Sequence, residues 1–446
     1  MKKAFWFRLS FCLIILATIT YEQIYRILNI PITWDEGITY VFYVNRFFHS
    51  GDFLGGIRAC LNGEIYCAAN NHLQNTFLIG IAELITHTRY NSVVIRFPIF
   101  IFYIFYIYSC SRQFMKKNIS YVAFVMLICC SYINEFFALA RGYGYAVAMI
   151  GISLFAYKEW LEDGKNRHII WAFYGLLIAE LANTAALLIT AAVAMVFLIK
   201  IVSGKKFLYY WKKLWFPASV WILIQLAVVK YHFLVTKYDL SIANDREGGL
   251  KTLIVNLISI PLTQRMVPKP LQLFLACLVI LNVYVLIRKR KVINDYPFSM
   301  MIFSYVFICF SMVESLKHFS DQSGYPTGRV LILVYPLCVL ALDELLRNGL
   351  SLLNEGTLQK MIPATSLAVA LIGLVFFSAT TNYKQTTDWP EAAICKKAAY
   401  KVYKSHGKKG MGYLKDISYN TDAFIYWQQK ILYEDGYDIF NPGSKN

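Results

Sequence analysis

Long apolar stretches, separated by short basic ones, run along most of this chain. Segments such as FPIFIFYIFYIYSC and FLACLVILNVYVLI have, with their flanks, the length needed to cross a hydrocarbon core of about 30 Å. The pattern predicts an all-α polytopic membrane protein with about 11 transmembrane helices. The predicted spans lie near 5–22, 95–111, 120–138, 143–157, 168–183, 184–201, 214–231, 271–287, 296–313, 329–346 and 362–379.

Two further apolar runs, 73–85 and 252–262, are too short to cross the membrane comfortably. The first is preceded by His72 and interrupted by polar residues, among them Asn75 and Glu83. We therefore predict that it forms a helix lying along the membrane interface.

The distribution of basic residues sets the orientation of these spans. A cytoplasmic N-terminus places about 20 Lys and Arg residues in cytoplasmic loops and about nine in the short outer loops. Counting 73–85 as a crossing would invert every later loop and remove this bias. We therefore predict a multi-pass protein of the inner (cytoplasmic) membrane, with both its C-terminus and its functional site on the extracytoplasmic side.

Composition agrees with a membrane location. Hydrophobic residues make up 57% of the chain and charged residues only 16%, and the mean hydropathy is +0.46. A soluble protein of this length needs a more polar surface. The net charge of +17 would suggest nucleic acid in a soluble protein, but here topology accounts for much of it. We predict membrane lipids as partners and no nucleic acid.

Two long segments are predicted on the outer side. One is the loop 23–94, with its interfacial helices, inside a transmembrane unit 1–379; the other is the tail 380–446, predicted as a small outer domain. Cys60 and Cys67 share the loop, and whether they form a disulfide depends on the compartment that it faces.

Candidate chemistry converges on this outer face. Acidic, aromatic and amide side chains of the long loop are joined there by the outer end of the third span and the start of the tenth. An arginine fork suits a lipid phosphate, a carboxylate can take a proton or bind a divalent ion, and aromatic rings suit the apolar face of a sugar. The candidates are Trp34, Asp35, Glu36, Asn71, His72, Arg141, Tyr143, Tyr145, Tyr325 and Arg329.

Simpler interpretations stand beside these. Asp35 and Glu36 also fit the first turn of a short helix, where acids are stabilising. His72 also fits a hydrogen bond within the loop, and Arg141 also fits contact with lipid headgroups. Asp35 and His72 are the residues that a metal ion would use, if there is one.

The order of these motifs resembles a known family. An acidic pair follows span one, Asn-His precedes the interfacial helix, and Arg96-Phe-Pro opens the next span. Ala-Arg-Gly-Tyr then follows at Arg141, and a Gly-Arg…Pro segment at Arg329. This resembles the GT-C superfamily of polyprenyl-phosphate-sugar-dependent glycosyltransferases, in particular the bacterial, ArnT-like relatives of the protein mannosyltransferases.

The resemblance covers about 1–380 and is weak over the tail. It also implies roles for individual residues. Asp35 would be the catalytic aspartate, acting as a base or helping to hold a metal. Relatives often have Asp where this chain has Glu135. One branch of the family has an Asp-x-Asp pair soon after the arginine, and the corresponding segment here, GYGYAVAM, contains no such pair. That difference argues against a metal-dependent mechanism of that kind, although a divalent cation stays possible.

The function expected from sequence is transfer of a sugar from a polyprenyl-phosphate carrier to an acceptor hydroxyl on a glycan, lipid or protein. Asp35 is the expected base, with Glu36 as a second catalytic candidate, and one-step displacement predicts inversion at the anomeric carbon. The alternatives are a polymerase or ligase of lipid-linked oligosaccharides, a transporter or flippase, and a non-catalytic scaffold. A flippase would place charges at mid-membrane and repeat its halves, and neither pattern is evident here.

Overall fold

The helices follow the apolar runs of the sequence. The computed structural model describes residues 2–52, 54–55, 58, 72–238, 253, 257, 296–317, 328–350, 367, 371, 392–410 and 421–435, and this part of the chain is helical with no strand. The long helices are α1 (Lys2–Asn29), α5 (Ser92–Met115), α8 (Gly142–Asp163), α9 (Asn166–Ala182), α10 (Leu187–Ser203), α11 (Phe207–Tyr238), α12 (Pro297–Lys317) and α13 (Tyr335–Leu350). The shorter ones are α2 (Trp34–Ile38), α3 (Asn45–His49), α4 (Leu73–Thr86), α6 (Tyr121–Ile128), α7 (Ser131–Phe137), α14 (Ala392–Gly410) and α15 (Thr421–Glu434).

Apolar helices of spanning length confirm a membrane protein. Within the described residues, four helices are long and apolar enough to cross a bilayer, and a fifth span results if the bent pair α7–α8 is counted as one. The four segments are Phe5–Asn29, Ser92–Met115, Thr184–Ser203 and Phe207–Tyr231. The predicted span 271–287 lies outside the described residues, as do all of 362–379 except 367 and 371.

The predicted third span, 120–138, is not a continuous helix. It is broken between α6 and α7 at Cys129 and Cys130, and the axis bends by 113° between α7 and α8. The last carbonyls of α6 lack helical N–H donors and are bonded by side chains instead. Tyr335 donates to the carbonyl of Met126 at 2.6 Å, Tyr106 to that of Leu127 at 3.0 Å and Asn134 to that of Ile128 at 2.8 Å. These bonds make a break tolerable inside hydrocarbon.

Basic loops of the sequence meet at one end of the bundle. Arg8, Lys158 and Arg347 each donate to a backbone carbonyl in the Asn118–Ile119 turn. Glu159 accepts ion pairs from Arg112 at 3.0 Å and Lys116 at 2.8 Å. This basic end is the predicted cytoplasmic one.

The opposite end carries the long loop. Helix α2 runs through a π-helical segment, Thr39–Val44, into α3, and α4 packs against both this segment and α5. The predicted interfacial run 73–85 is thus a single helix of 14 residues, Leu73–Thr86, ending at His87 in a left-handed conformation.

Described parts of the tail pack on this loop. Tyr426 and Lys430 of α15 both donate to the carbonyl of Tyr90 at 2.9 Å, and Asn45 donates to Gln429 at 3.1 Å. Tyr40, Tyr90 and Tyr426 lie in one buried cluster. The division into 1–379 and 380–446 stays a prediction, but these contacts tie the tail to the loop.

Candidate active site

Asp35 and Arg141 form an ion pair beside the N-terminus of α8. Thr33 is the N-cap of α2 and places Asp35 in the first helical turn. Oδ2 of Asp35 lies 2.9 Å from Nη2 of Arg141, and their side chains are 8% and 11% exposed. Nη1 of Arg141 donates to the Asp35 carbonyl at 3.1 Å and to Oγ1 of Thr39 at 3.3 Å. The guanidinium is thus anchored through one nitrogen and meets the carboxylate through the other.

Glu36 lies in a different environment, although it is the next residue. Its side chain and that of Arg96 are both 0% exposed, and Arg96 binds it through two parallel bonds, Nε to Oε1 at 2.8 Å and Nη2 to Oε2 at 2.7 Å. Burial opposes ionisation of Glu36, but the charge of Arg96 and the hydrogen bonds to the carboxylate outweigh it, so the pKa of Glu36 lies below its ordinary value.

Arg96 also ties Glu36 to the end of α1. Its Nη1 donates to the carbonyls of Ile27 at 3.2 Å and Ile30 at 2.6 Å, and its Nη2 donates to that of Pro31 at 3.0 Å. Glu36 in turn completes a capping box, accepting from the Thr33 backbone N–H at 2.9 Å. The capping interpretation of the acidic pair therefore applies to Glu36.

Glu36 also fixes the segment that bears Arg141. Oε1 of Glu36 accepts the backbone N–H of Ala140 at 2.8 Å. Because Asp35 precedes Glu36 and Arg141 follows Ala140, one buried carboxylate holds both sides of the Asp35–Arg141 pair. Its contacts direct both oxygens into the protein, so this geometry does not present Glu36 to a substrate.

His72 lies against the start of α8. Its Nδ1 is 3.0 Å from the carbonyl of Ala182, and its ring centroid is 5.4 Å from that of Tyr143. Asn75 donates to the Ala140 carbonyl at 2.7 Å. A Cβ on Gly142 would lie 1.8 Å from the Ala182 carbonyl oxygen and 2.3 Å from His72 Nδ1, so only glycine permits this close packing.

The other predicted residues fall into three groups. Trp34 is partly buried against the main apolar core, in the same turn as Asp35. Tyr145 is 0% exposed and packs edge-on against Phe102 in the bundle, so the structure does not bring it to the pair as a substrate contact. Asn71 and Tyr325 lie outside the described residues, and of Arg329 only the backbone, in the 3₁₀ segment Gly328–Val334, is described.

A third buried pair lies deeper along α1. Nη2 of Arg26 is 3.5 Å from Oε2 of Glu135, with side chains 2% and 3% exposed. The acid that the resemblance singled out at Glu135 therefore neutralises a buried arginine.

The most important residue without an assigned role in the sequence analysis is Arg96. The sequence contained one signal for it, a charged residue at the start of an apolar span, where burial of a charge requires a partner. Thr33 precedes Glu36 by three residues, the spacing of a capping box, whereas Thr39, which binds Arg141, carried no comparable signal.

Among the described residues, the side chains around Asp35 and His72 do not assemble a divalent-cation site. In the described part of the chain, no three His, Cys, Asp or Glu side chains converge on one point. The Asp35 carboxylate faces a guanidinium, and His72 Nδ1 faces a carbonyl. Asp35 and His72 therefore each use one potential metal-ligating atom, Oδ2 and Nδ1, in a contact with the protein itself.

Comparisons with known proteins give one structural likeness. No family model and no curated protein matches the chain. Among solved structures, it is similar to ArnT from Cupriavidus metallidurans in the apo state, with 11% sequence identity and a TM-score of 0.47. The match covers 94% of this chain and 76% of that chain. Such a likeness is too small to carry a conclusion about activity, which has to come from the residues of the site.

Proposed function

We propose that this protein is an integral membrane glycosyltransferase that moves a sugar from a polyprenyl-phosphate carrier to an acceptor hydroxyl on the extracytoplasmic side. The observation that carries the proposal is the Asp35–Arg141 ion pair. It joins a proton acceptor to a phosphate-binding fork, at the end of the bundle opposite the basic loops. The order of motifs along the chain, which resembles the GT-C superfamily, supports the same assignment.

Arg141 is the proposed ligand of the carrier phosphate. Its Nη1 stays anchored to the Asp35 carbonyl and Thr39, while Nη2, now paired with Asp35, turns to a phosphate oxygen. Arg141 is also the N-cap of α8, a helix of 22 residues whose first N–H groups and dipole favour an anion at this point. Arg329 is the second arginine proposed for the phosphate, on the evidence of the sequence alone.

Asp35 is the proposed base. When phosphate takes Nη2 of Arg141, the Asp35 carboxylate is released to accept the proton of the acceptor hydroxyl. The hydroxyl oxygen bonds to the anomeric carbon as the bond from that carbon to the phosphate oxygen breaks, and the electron pair leaves on the polyprenyl phosphate. One displacement inverts the anomeric carbon. Arg141 stabilises the departing anion, and no step passes through a metal.

Aromatic and polar neighbours are proposed to bind the sugar. Trp34 directly precedes Asp35, and Tyr143 lies two residues after Arg141; both offer ring faces to the apolar side of the sugar. His72, whose ring lies beside that of Tyr143, is the nearest candidate for a sugar hydroxyl. Asn71 and Tyr325 keep their predicted role as substrate contacts.

Glu36 and Arg96 are proposed to position rather than to react. Both are fully buried, and their hydrogen bonds hold α2 against the Ala140–Arg141 segment. This differs from the sequence-based hypothesis that Glu36 is a second catalytic acid.

A polymerase or ligase of lipid-linked oligosaccharides is the alternative enzyme, since it also needs arginines at an outer membrane face. The assay that separates these functions uses the purified full chain in lipid with a panel of labelled undecaprenyl-phosphate sugars and undecaprenyl-diphosphate oligosaccharides. We expect label to leave one monophosphate sugar in an acceptor-dependent reaction that a chelator does not stop. Transfer from the diphosphate oligosaccharide would support the polymerase, and movement of intact carrier between leaflets without transfer would support a flippase.

A further inference from the structure

An apolar cavity lies between α9, α10 and α11, away from the Asp35–Arg141 pair. It has a volume of about 280 Å³ and is lined almost entirely by hydrocarbon. Lining residues include Phe173, Ala194, Phe197, Trp211, Ala218 and Trp221. Several of its walls also face outward: Leu198, Phe207, Trp211 and Ile222 are each between 43% and 54% exposed. The cavity therefore opens sideways, where the surroundings of a membrane protein are lipid.

Polar contacts close the cavity toward the candidate active site. Trp221 donates to the Phe173 carbonyl at 3.1 Å and Tyr174 to that of Pro217 at 3.1 Å, which brace α9 against α11. One turn farther toward the loop end, Gln225 donates to Glu180 at 2.6 Å. A hydrocarbon chain descending from Arg141 would have to pass this buried carboxylate, which is unfavourable. The occupant therefore enters from the side or from the basic end.

The mouth at the basic end is strongly cationic. Between Lys200 and Tyr231 the sequence contains no Asp or Glu. The exposed lysines in the first part of this stretch, next to the cavity, are Lys205, Lys206, Lys212 and Lys213. Exposed Phe207 and Trp211 stack on each other beside them, as aromatic residues do at a membrane interface.

Lys205 occupies an unusual backbone position. It follows α10 with φ of 54°, and its N–H donates to Val202 while that of Lys206 donates to Ile201. This is the helix-ending geometry in which glycine is favoured, because a side chain strains the left-handed conformation. Lys205 carries its charge two residues before Phe207, which lines the cavity, and it does so at a conformational cost.

We propose that this cavity binds an anionic phospholipid of the leaflet at the basic end. One acyl chain enters between α9 and α11, and the phosphate contacts Lys205 and Lys206. An apolar slot, an opening to lipid and a lysine cluster in a segment, 200–231, that contains no Asp or Glu are together complementary to that molecule. The proposal does not depend on the glycosyltransferase assignment.

The test is photo-crosslinking of the purified full chain in liposomes. Phosphatidylglycerol or phosphatidylcholine with a diazirine in one acyl chain is activated, and the labelled peptides are mapped. We expect phosphatidylglycerol to label peptides of 169–222 in preference to phosphatidylcholine. Ala218→Phe fills the cavity and should reduce this labelling at least fivefold, whereas Ser219→Phe, an exposed neighbour outside the lining, should not.

A charge variant makes the test independent of cavity filling. Lys205→Gln should lower the preference for phosphatidylglycerol about fivefold, the effect of one lysine near an anionic surface. Lys117→Gln is the matched control, because Lys117 ends α5 with a similar φ of 63° at the same end of the bundle. Equal labelling by both lipids, labelling spread evenly over all exposed spans, or equal effects of Ala218→Phe and Ser219→Phe would overturn the proposal.

Discussion

Two neighbouring acids of this protein, Asp35 and Glu36, each pair with an arginine, but the two pairs differ in access. The Glu36–Arg96 side chains are 0% exposed, whereas those of Asp35 and Arg141 are 8% and 11% exposed. Glu36 accepts bonds from Arg96, Thr33 and Ala140. A carboxylate enclosed in this way stabilises a structure, while the slightly exposed ion pair of Asp35 with Arg141 can exchange partners. The difference separates a positioning pair from a candidate catalytic pair.

The largest expected effect is that of Asp35→Asn on turnover. The amide keeps the shape of the carboxylate but cannot take a proton, so we expect the transfer rate to fall about 10²- to 10⁴-fold. Binding of the donor should change little. The measurement is release of labelled sugar from its carrier, with donor binding followed separately.

Breaking the positioning pair, Glu36–Arg96, should lower the stability of the protein rather than the rate of the chemical step. Arg96→Met leaves the Glu36 carboxylate buried without its partner, and we expect a loss of about 3–5 kcal/mol in the free energy of unfolding. Denaturant unfolding in detergent measures it. The control is Arg167→Met on exposed α9 surface, for which we expect a change within about 0.5 kcal/mol. A similarly small change for Arg96→Met would contradict the structural role of the pair.

Changing Arg141 of the candidate catalytic pair, Asp35–Arg141, should weaken binding of the donor. Arg141→Lys keeps the charge but loses the planar fork, and loss of one charge-assisted hydrogen bond of about 1.5–3 kcal/mol should raise KM for the donor roughly 10- to 100-fold. We expect kcat to fall by less, and the unfolding free energy to stay close to that of the wild type. Arg112→Lys, at the basic end, is the control. An unchanged KM would contradict the assignment of Arg141 as a ligand of the carrier phosphate.

The smallest effect is on the pH dependence of stability. Because the folded pKa of Glu36 is lowered, its contribution is complete above the unfolded value near 4.5 and is lost as pH falls through the lower folded value. Glu36→Gln should therefore be less stable than the wild type at neutral pH, with a gap that closes in acid by at most about 1.4 kcal/mol per pH unit. A gap that is constant from neutral pH into acid would contradict the lowered pKa.

The apolar helices and the proximity of Asp35 to Arg141 were predictable from the sequence. The apolar runs predict the helices, and the membrane side predicted for each loop, with the order of the motifs, predicts the proximity. Sequence reasoning kept Glu36 beside Asp35 as a second catalytic candidate, since the partner of Glu36 lies 60 positions away and is chosen by tertiary packing. It did not find the break at Cys129, where neither glycine nor proline interrupts the apolar run. Tyr145 is buried against Phe102 rather than beside the pair, because residues two apart on a helix point in different directions and Tyr143 and Tyr145 cannot share one face.

The most direct test compares Asp35→Asn and Glu36→Gln in one preparation, measuring transfer of labelled sugar and the free energy of unfolding for both. The account predicts that Asp35→Asn lowers transfer about 10²- to 10⁴-fold with unfolding close to the wild type. It predicts that Glu36→Gln lowers stability while the folded fraction keeps measurable transfer. Transfer near the wild-type rate in Asp35→Asn, or its complete loss in a stably folded Glu36→Gln, would contradict it.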